Sequence, residues 1–276
     1  MEKMVGFIGV GNMGGALLES MAKGDESIRF IANDLNKTRL EQLKKNYGIR
    51  VADDVNKVVS LSDYIILAVK PQHCDSVLDS IKGVFDSMVS RKKILISIVA
   101  GLPISYFKSI LGPDAKIIRT MPNTPAMVGE GMTILCYDDL ITDEEKEFVK
   151  KLFSYAGLVE ELNENLMNQV IALTGSSPAY VFMLIEAMAD AAVQSGIPRN
   201  LSYRLAAQTV LGSAKMVLET GKHPGELKDM VCSPAGTTIE AVAALEREGF
   251  RNAIITAMGE CTRRAKEIGK RNREKK

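Results

Sequence analysis

Apolar residues in the first half of the chain fall in short, uninterrupted runs separated by stretches of mixed polarity. The pattern predicts strands at residues 5–8, 28–33, 64–69, 94–99 and 116–120, with helices at 12–23 and about 36–46 among them. Continuous apolar strands are typical of strands that are buried on both faces, because one that faced water on one side would alternate. Strands of this kind separated by helical segments predict a parallel α/β sheet covered by helices on both faces.

The pattern changes near residue 163. Before it, two more strands are predicted at residues 132–137 and 158–162, with a helix at 142–155 between them. After it the strand signal disappears, and helices are predicted at 164–173, 178–195, 200–220, 224–230, 238–248 and 250–270. Such a change of class predicts two domains, one over residues 1–163 and an all-helical one over residues 164–276.

The predicted helix at residues 178–195 is apolar on nearly all sides. A helix of this kind must be buried on nearly all sides. It is therefore either the central helix of its own domain or part of an interface between subunits. We favour the interface, because the helical domain is small for enclosing such a helix by itself.

A glycine-rich turn follows the first predicted strand and opens the first predicted helix, with the sequence Gly9-Val10-Gly11-Asn12-Met13-Gly14. In a dinucleotide-binding turn of this spacing, the first glycine permits a tight turn and the second lets the backbone approach the pyrophosphate. The third lets the helix pack closely on the strand. The pyrophosphate then meets free N–H groups and the positive end of the helix dipole. Ordinary glycine-rich turns share the spacing, but this position between strand and helix favours the dinucleotide interpretation.

The ribose end of such a cofactor depends on residues about 20 positions after the turn, where Asn33 and Asp34 follow the second predicted strand. Asp34 can accept hydrogen bonds from both ribose hydroxyls, which favours NAD and repels the 2′-phosphate of NADP. Asn33, Lys37 and Arg39 can instead donate to that phosphate. Asp34 can equally be a cap for the next helix. The residues alone leave the choice between NAD and NADP open.

Three further segments fall at the predicted carboxyl ends of strands, at residues 68–71, 98–101 and 121–125. In an open parallel sheet, ligands bind beyond the carboxyl ends of the strands. Each segment is compatible with an ordinary loop. Their agreement on one edge of the sheet favours a cleft for the nicotinamide.

Residues 231–238 interrupt the helical pattern of the second domain with the sequence V-C-S-P-A-G-T-T. Thr237 and Glu240 have the spacing of a capping box, so one interpretation is a well-capped helix N-terminus and nothing more. The other interpretation uses the same geometry, since small residues at a helix N-terminus expose N–H groups and hydroxyls that suit a carboxylate. The residues by themselves do not decide between the two.

Composition narrows the class of partner. The formal net charge is +1, so no global basic field indicates nucleic acid or a membrane surface. The apolar stretch at 179–185 is followed too soon by Glu186 and Asp190 for a membrane span. The four cysteines form no C-x-x-C pair, so we expect no metal site and a reducing, cytoplasmic location. The expected partners are a small-molecule substrate and further copies of the chain.

These motifs resemble, in order and spacing, those of the pyrroline-5-carboxylate reductase family over essentially the whole chain. The matching segments are residues 6–14 (GFIGVGNMG), 68–71 (AVKP), 121–125 (MPNTP), 173–180 (LTGSSPAY), 223–225 (HPG) and 233–239 (SPAGTTI). The resemblance implies an N-terminal Rossmann domain, which is a doubly wound parallel sheet, and a C-terminal helical domain that dimerises, with larger assemblies possible. It implies hydride transfer from NADPH, with NADH possible, to 1-pyrroline-5-carboxylate, giving L-proline in the last step of its biosynthesis.

The resemblance also implies roles for residues by position. The substrate would be held by Ser233, Gly236, Thr237 and Thr238. Together with Gly14 and Asp34 from the arguments above, the cofactor would contact Ile8, Gly9, Val10, Gly11, Asn12, Met13, Asn33, Asn56, Ala68, Val69, Lys70, Pro71, Ile98, Val99 and Ala100. Ala235 departs from the usual S-P-G-G-T-T of the family. The departure matters only if the position requires a positive φ, where alanine is strained.

Reduction of a cyclic imine requires a bound carboxylate, an oriented ring and one proton. We expect the N–H groups of Gly236 and Thr237 to hold the carboxylate, and the hydroxyl of Thr238, as the catalytic residue, to hydrogen-bond the ring nitrogen. An imine can enter protonated or take its proton from water, so no strong general acid is needed. Lys70 is more plausible as a cofactor or carbonyl contact than as an acid, and His223 is expected to be structural.

Two alternatives remain. One is another NAD(P)-dependent reductase of the same architecture, acting on a different imine or a hydroxy acid. Such enzymes usually carry a lysine acid/base in the helical domain, and residues 174–180 contain none. The other is a non-catalytic protein that senses nucleotides, against which the intact loop at 233–238 argues.

Overall fold

The computed structural model describes residues 3–85 and 93–274, and within them eight strands form a single sheet. The strands are β1 (Met4–Ile8), β2 (Arg29–Asn33), β3 (Arg50–Val51), β4 (Tyr64–Leu67), β5 (Ile94–Ser97), β6 (Lys116–Met121), β7 (Gly131–Tyr137) and β8 (Gly157–Glu161). Their order across the sheet is β3-β2-β1-β4-β5-β6-β7-β8. This is the doubly wound arrangement in which the chain leaves β1 in one direction and returns to its other side at β4.

Twelve α-helices occur over the same described residues. They are α1 (Asn12–Gly24), α2 (Lys37–Tyr47), α3 (Val55–Leu61), α4 (Pro71–Phe85), α5 (Ile104–Leu111), α6 (Asp143–Ser154), α7 (Met167–Val170), α8 (Ser177–Gln194), α9 (Arg199–Thr220), α10 (Pro224–Met230), α11 (Thr237–Arg247) and α12 (Phe250–Glu274). Short 3₁₀ turns lie at Thr124–Val128 and Glu164–Leu166, and a π-helical turn lies at Ile171–Gly175.

The sheet is parallel except at one pair of strands. β6 and β7 run antiparallel, whereas β7 and β8 are parallel again. Residues 122–130, which join β6 to β7, are too few for the crossover that a parallel pair requires. β3 was not predicted, because its two residues carry no apolar run.

The central strands are buried on both faces, as their continuous apolar runs predict. Val5 and Phe7 of β1 enter one hydrophobic cluster, and Ile8 enters the cluster on the opposite face. β4 divides in the same way, with Ile66 on one side and Ile65 on the other. Alternate side chains thus pack against helices on both faces of the sheet. The carboxyl ends of the strands form an edge that these helices do not cover.

The chain divides into two compact units. The first comprises Met1–Gly175 together with Thr262–Lys276, and the second comprises Ser176–Cys261. The division therefore falls at 175 rather than at the predicted 163. Met167 and Val170 of α7 are buried in a cluster with Met121 of β6, so the segment after residue 163 packs on the sheet.

The second unit buries very little of its own surface. Its buried residues are Ala189, Ser202 and Ala206, while Phe182 and Met183 of α8 are 62% and 68% exposed. α8 packs mainly against α9, and this contact does not enclose it. The alternative in which α8 is the enclosed core helix of its own domain is therefore wrong for the single chain.

One described segment, Glu164–Gln194, is long and apolar enough to cross a membrane by length and composition alone. Only 11% of its most apolar window is buried within the chain. Subunit interfaces expose apolar surface of the same kind in a single chain. Glu186 and Asp190 lie within this segment, where each charge would be costly in a bilayer.

Candidate active site

The turn between β1 and α1 is shaped by Gly9, which has a φ of +95°. Its N–H donates to the carbonyl of Asn33 at 2.9 Å, which fixes the turn against the end of β2. A Cβ on Gly9 would lie 2.7 Å from the carbonyl oxygen of Ala68. Both the positive φ and the close approach of the chain after β4 exclude a side chain at this position.

Gly11 and Gly14 differ in what a side chain would meet. A Cβ on Gly14 would lie 2.5 Å from the carbonyl oxygen of Gly9, so the helix packs against the turn with no room to spare. A Cβ on Gly11 would meet nothing within 4 Å. The surface of Gly11 is therefore open space next to bare backbone, which is the room that a pyrophosphate needs.

The first turn of α1 has free hydrogen-bond donors. Its N-cap is Gly11, and no side chain caps it. Among the described residues, the N–H groups of Asn12 and Met13 have no acceptor. These donors and the helix dipole favour an anion at this point.

Val10 and Ile8 offer fewer groups to a cofactor than the sequence implied. The N–H of Val10 donates to Oδ2 of Asp34 at 2.6 Å and is not free for a phosphate. The side chains of Ile8 and Val10 are 2% and 0% exposed. A cofactor can meet these two residues only along their remaining backbone.

Asp34 does not cap α2, so that alternative is wrong. The N-cap of α2 is Asn36, whose side chain accepts from the N–H of Arg39 at 3.0 Å. The carboxylate of Asp34 accepts from the N–H groups of Val10 and Asn36, so it joins the glycine turn to the loop after β2. Asn33 is engaged as well, because its side-chain nitrogen donates to the carbonyl of Ala52 at 2.8 Å.

The remaining cofactor candidates lie at or near the ends of β3, β4 and β5. Lys70 and Pro71 are exposed at the start of α4, and Asn56 is exposed on α3. Ala68 and Val69 are half-buried just after β4, and Ile98 and Ala100 follow β5. Val99 differs from them, because its side chain is only 2% exposed and its N–H donates to Oγ of Ser97 at 3.2 Å. Its side chain packs in the core.

Residues 121–125 and 173–180 are joined by Asn123, a contact that the sequence did not reveal. Its Nδ2 donates to the carbonyl of Thr174 at 3.0 Å, and its Oδ1 accepts from the N–H of Met132 at 2.8 Å. Thr174 belongs to the π-helical turn Ile171–Gly175. Two of the motifs that carry the resemblance are thus held together by one buried amide.

Arg119 on β6 is a second residue that the sequence did not reveal. Its side chain is 3% exposed, and it donates to Glu164 at 3.3 Å and to Asn168 at 3.0 Å. Burial lowers the pKa of Arg119, and Glu164 opposes that shift. A buried arginine in the middle of a β pattern is the signal that such a partner exists, because an unpaired charge there would be very costly.

The loop before α11 has a tightly bent backbone. Ala235 has a φ of +55°, which makes it the one described non-glycine residue with a positive φ. The N–H of Gly236 donates to the carbonyl of Ser233 at 3.1 Å. A Cβ on Gly236 would lie 2.3 Å from Oγ of Ser233, so glycine is needed for this serine side chain to fold over the turn.

The capping box expected at Thr237 and Glu240 does not form. α11 begins at Thr237, one residue earlier than predicted, and its N-cap is Gly236 without a side-chain cap. The role expected for the N–H of Gly236 is also wrong, because that group is already bonded within the loop. The N–H groups of Thr237 and Thr238 and both hydroxyls have no partner among the described residues. This helix start can therefore hold a small anion and donate to an acceptor beside it.

His223 and Tyr180 belong to two of the segments that carry the resemblance. His223 accepts from the N–H of Gly225 at 3.0 Å and caps α10, which confirms its structural role. Tyr180 lies with Cys261, and burial together with this contact raises the pKa of its phenol. The phenol therefore stays protonated at neutral pH.

The two sets of candidate residues belong to different units. The residues expected at the cofactor all lie in the first unit, and Ser233, Gly236, Thr237 and Thr238 all lie in the second. Each turn opens a helix that has no side-chain cap. Each unit thus carries one uncapped helix start that is suited to an anion.

Comparisons with known proteins match both units. Residues 164–268 match a family model described as pyrroline-5-carboxylate reductase dimerisation, and residues 4–101 match one described as NADP oxidoreductase coenzyme F420-dependent. The pyrroline-5-carboxylate reductase of Escherichia coli (strain K12) is 45% identical over 98% of this chain and 100% of its own length.

Solved structures agree with the sequence relatives. Plasmodium falciparum pyrroline carboxylate reductase with NADP bound is 32% identical, with a TM-score of 0.85 over 97% of this chain and 99% of that one. A pyrroline-5-carboxylate reductase from Coxiella burnetii is 30% identical, with a TM-score of 0.89 over the same shares of the two chains. The likeness extends over both units.

Proposed function

The chain belongs to the pyrroline-5-carboxylate reductase family, and we propose that its two uncapped helix starts have different roles in that reaction, the start of α1 binding the cofactor and the start of α11 binding the substrate. The enzyme reduces the cyclic imine 1-pyrroline-5-carboxylate to L-proline at the expense of a nicotinamide dinucleotide. Membership of the family sets aside both alternatives, the reductase of other substrates and the non-catalytic sensor. The roles of individual residues given below are proposals.

The turn before α1 is proposed to hold the pyrophosphate of the dinucleotide. The open space at Gly11 and the free N–H groups of Asn12 and Met13 support this role. When bound there, the reduced nicotinamide supplies the hydride. Ile8, Val10 and Val99 would meet it mainly through their backbone, since their side chains are buried. This turn does not distinguish NADP, expected first from the resemblance, from NAD.

The turn before α11 is proposed to hold the substrate carboxylate. The N–H groups of Thr237 and Thr238 are the available donors, and the positive end of the α11 dipole adds to them. Gly236 contributes by its lack of a Cβ, which lets Ser233 fold over the turn.

The hydroxyl of Thr238 is proposed to hydrogen-bond the ring nitrogen. With no partner among the residues that the structure describes, it is free to donate to that nitrogen as the nitrogen gains electron density. An imine that enters protonated needs no further acid.

Steady-state oxidation of NADH and NADPH tests this function directly. Purified protein is expected to oxidise at least one of them only when pyrroline-5-carboxylate is added. A folded preparation that turns over neither cofactor with this imine would contradict the proposed roles of both turns.

The match of residues 164–268 to the dimerisation model of the family supports a homo-oligomer. We propose that the exposed apolar faces of α8 and α9 form the interface, on the evidence of Met183 at 68% and Leu211 at 55% exposure. Light scattering is expected to give at least a dimer, and Met183→Glu is expected to reduce its mass. Leu140→Glu, on the first unit and 42% exposed, is the matched control and should leave the assembly intact. A cytoplasmic location stays a prediction.

A further inference from the structure

A cavity of about 230 Å³ lies beside the glycine turn, on the side of Asp34. Its lining includes Gly11, Asn12, Glu19, Asp34, Asn36 and Arg39. In a dinucleotide-binding domain, the ribose next to the adenine occupies this place, between the glycine turn and the end of the second strand. NADH and NADPH differ only here, because NADPH carries a phosphate on the 2′-oxygen of that ribose.

Among the described residues, Arg39 is the one cation in the lining of this cavity, and it is already paired. Its guanidinium donates to Glu19, whose second oxygen accepts from the hydroxyl of Tyr47 at 3.1 Å. A Cβ on Gly15 would lie 2.8 Å from Nη2 of Arg39, so the guanidinium lies directly against α1. A 2′-phosphate would have to draw Arg39 away from a carboxylate that is held in place from two sides.

Asp34 presents the opposite charge from the one that a phosphate requires. Each of its oxygens accepts one backbone N–H, from Val10 at 2.6 Å and from Asn36 at 2.8 Å. These contacts hold the carboxylate in the cavity wall. A carboxylate has about four acceptor positions, so capacity remains for two ribose hydroxyls.

We propose that this pocket selects NADH over NADPH, with Asp34 accepting the ribose hydroxyls and Glu19 withholding Arg39 from the 2′-phosphate. The inference rests on the proposed role of the glycine turn and names the cofactor that the turn serves. It reverses the order expected from the family resemblance, in which NADP came first. Two carboxylates and one guanidinium line the cavity, so its formal charge is unfavourable for an added phosphate.

Lys37 is the feature that favours a phosphate. It stands at the first position of α2, where free N–H groups of the helix would add to its charge. Lys37 is exposed and does not line the cavity, so solvent screens its charge. Asp34 and Glu19 lie in the cavity wall itself, and we expect their repulsion to prevail.

Equilibrium binding tests the inference without turnover. NADH and NADPH are titrated separately into the wild-type protein, and binding is followed by the fluorescence of the nicotinamide. The Kd for NADH is expected to be at least about tenfold lower, a difference of about 1.4 kcal/mol. Competition by 5′-AMP and 2′,5′-ADP isolates the ribose end, and 5′-AMP is expected to be the stronger competitor. Equal binding, or tighter binding of NADPH, would overturn the selection.

Two variants locate the effect. Asp34→Ser removes the acceptor and the charge, so NADH binding should weaken about tenfold while NADPH binding strengthens. Glu19→Gln leaves Asp34 in place and removes the negative charge that pairs with Arg39, so NADPH binding should strengthen about tenfold with NADH unchanged. The second variant keeps the test valid if the lost contact to Val10 unfolds the first. Glu41→Gln, an exposed carboxylate on the same helix as Arg39, should change neither.

Failure of the inference can be told apart from failure of the proposed function. If the glycine turn is not a dinucleotide site, the wild-type protein binds neither cofactor, and both proposals fall. If both cofactors bind with equal affinity and both support turnover, only the selection by Asp34 and Glu19 is lost. A Glu19→Gln protein with an unchanged ratio of affinities would contradict the role given to Arg39.

Discussion

The turn before α1 and the turn before α11 use the same device in two different ways. Each begins a helix whose N-cap is a glycine, Gly11 in one and Gly236 in the other, and neither has a side-chain cap. Each therefore presents free N–H groups at the positive end of a helix dipole. The difference lies in what surrounds these donors.

The turn before α1 is open at its glycine, whereas a side chain lies over the glycine of the turn before α11. Gly11 has no atom within 4 Å of where its Cβ would be, whereas Gly236 has Oγ of Ser233 at 2.3 Å from that point. A pyrophosphate is part of a long ligand that must lie along the backbone, so bare surface suits it. A substrate carboxylate is small and ends at the turn, so hydroxyls can stand beside it. The same helix start can thus be adapted to a cofactor or to a substrate by the side chains around it.

The largest effect is expected from a side chain added at Gly11, in the turn before α1. Gly11→Val places a branched side chain in the open space, where its Cβ would meet nothing within 4 Å, and the φ of −61° at this position is negative. Dinucleotide affinity should fall by more than about a hundredfold, or about 2.7 kcal/mol, with the fold unchanged. Fluorescence titration measures the affinity, and circular dichroism checks the fold.

Gly83→Val is the matched control for this variant. Gly83 lies in α4, and a Cβ there also meets nothing within 4 Å. It should bind the dinucleotide like wild type. Undiminished affinity in the Gly11→Val protein would show that the two turns do not differ in the way described.

A smaller effect is expected from loss of the Thr238 hydroxyl, at the start of α11. Thr238→Ala removes the hydroxyl proposed for the ring nitrogen but leaves the backbone N–H groups in place. A hydrogen bond of this kind is worth about 0.5–1.5 kcal/mol, or up to about 3 when one partner is charged. kcat/KM should therefore fall roughly ten- to a hundredfold, without loss of turnover.

Thr238→Ser sharpens this test, because it restores the hydroxyl without the methyl group and should recover most of the activity. Dinucleotide affinity should stay at the wild-type value in both variants. Full kcat/KM in the alanine protein would reduce Thr238 to a helix residue without a catalytic role. A parallel loss of dinucleotide affinity would indicate that the loop supports the fold instead.

The smallest effect is expected from relief of the backbone strain at Ala235, in the turn before α11. Ala235 has a φ of +55°, where alanine is strained and glycine is not. Ala235→Gly should therefore raise the free energy of unfolding by about 0.5–1 kcal/mol. Ala243→Gly, at an exposed position inside α11, should lower it by a similar amount, because glycine weakens a helix interior. Denaturant unfolding at one fixed protein concentration measures both, and equal signs for the two would contradict strain at Ala235.

Much of the first unit could be predicted from local sequence. The apolar runs of β4 and β5 reflect burial on both faces, and that signal needs no knowledge of neighbours. β3 escaped because two residues carry no pattern. The antiparallel direction of β7 escaped as well, since hydrophobic periodicity carries no information on strand direction.

The candidate sites were predictable only where the physics is local. The roles of Gly9 and Gly14 follow from spacing, because each depends on its own backbone and on the adjoining strand. The start of α11 did not follow from spacing. The chain bends at Ala235, and the helix begins one residue earlier than predicted, so that the expected capping box does not form. The pairing of Arg39 with Glu19 could not be foreseen, since 20 positions separate the two residues along the chain.

The scarcity of buried residues in the second unit predicts that the enzyme is sensitive to dilution. Phe182, Met183 and Leu211 remain exposed in the single chain, and only association can remove such surface from water. Association obeys mass action, so the resistance of the protein to heat and denaturant should increase with its own concentration. A cell that makes little of this enzyme would then lose more activity than the drop in the number of chains alone accounts for.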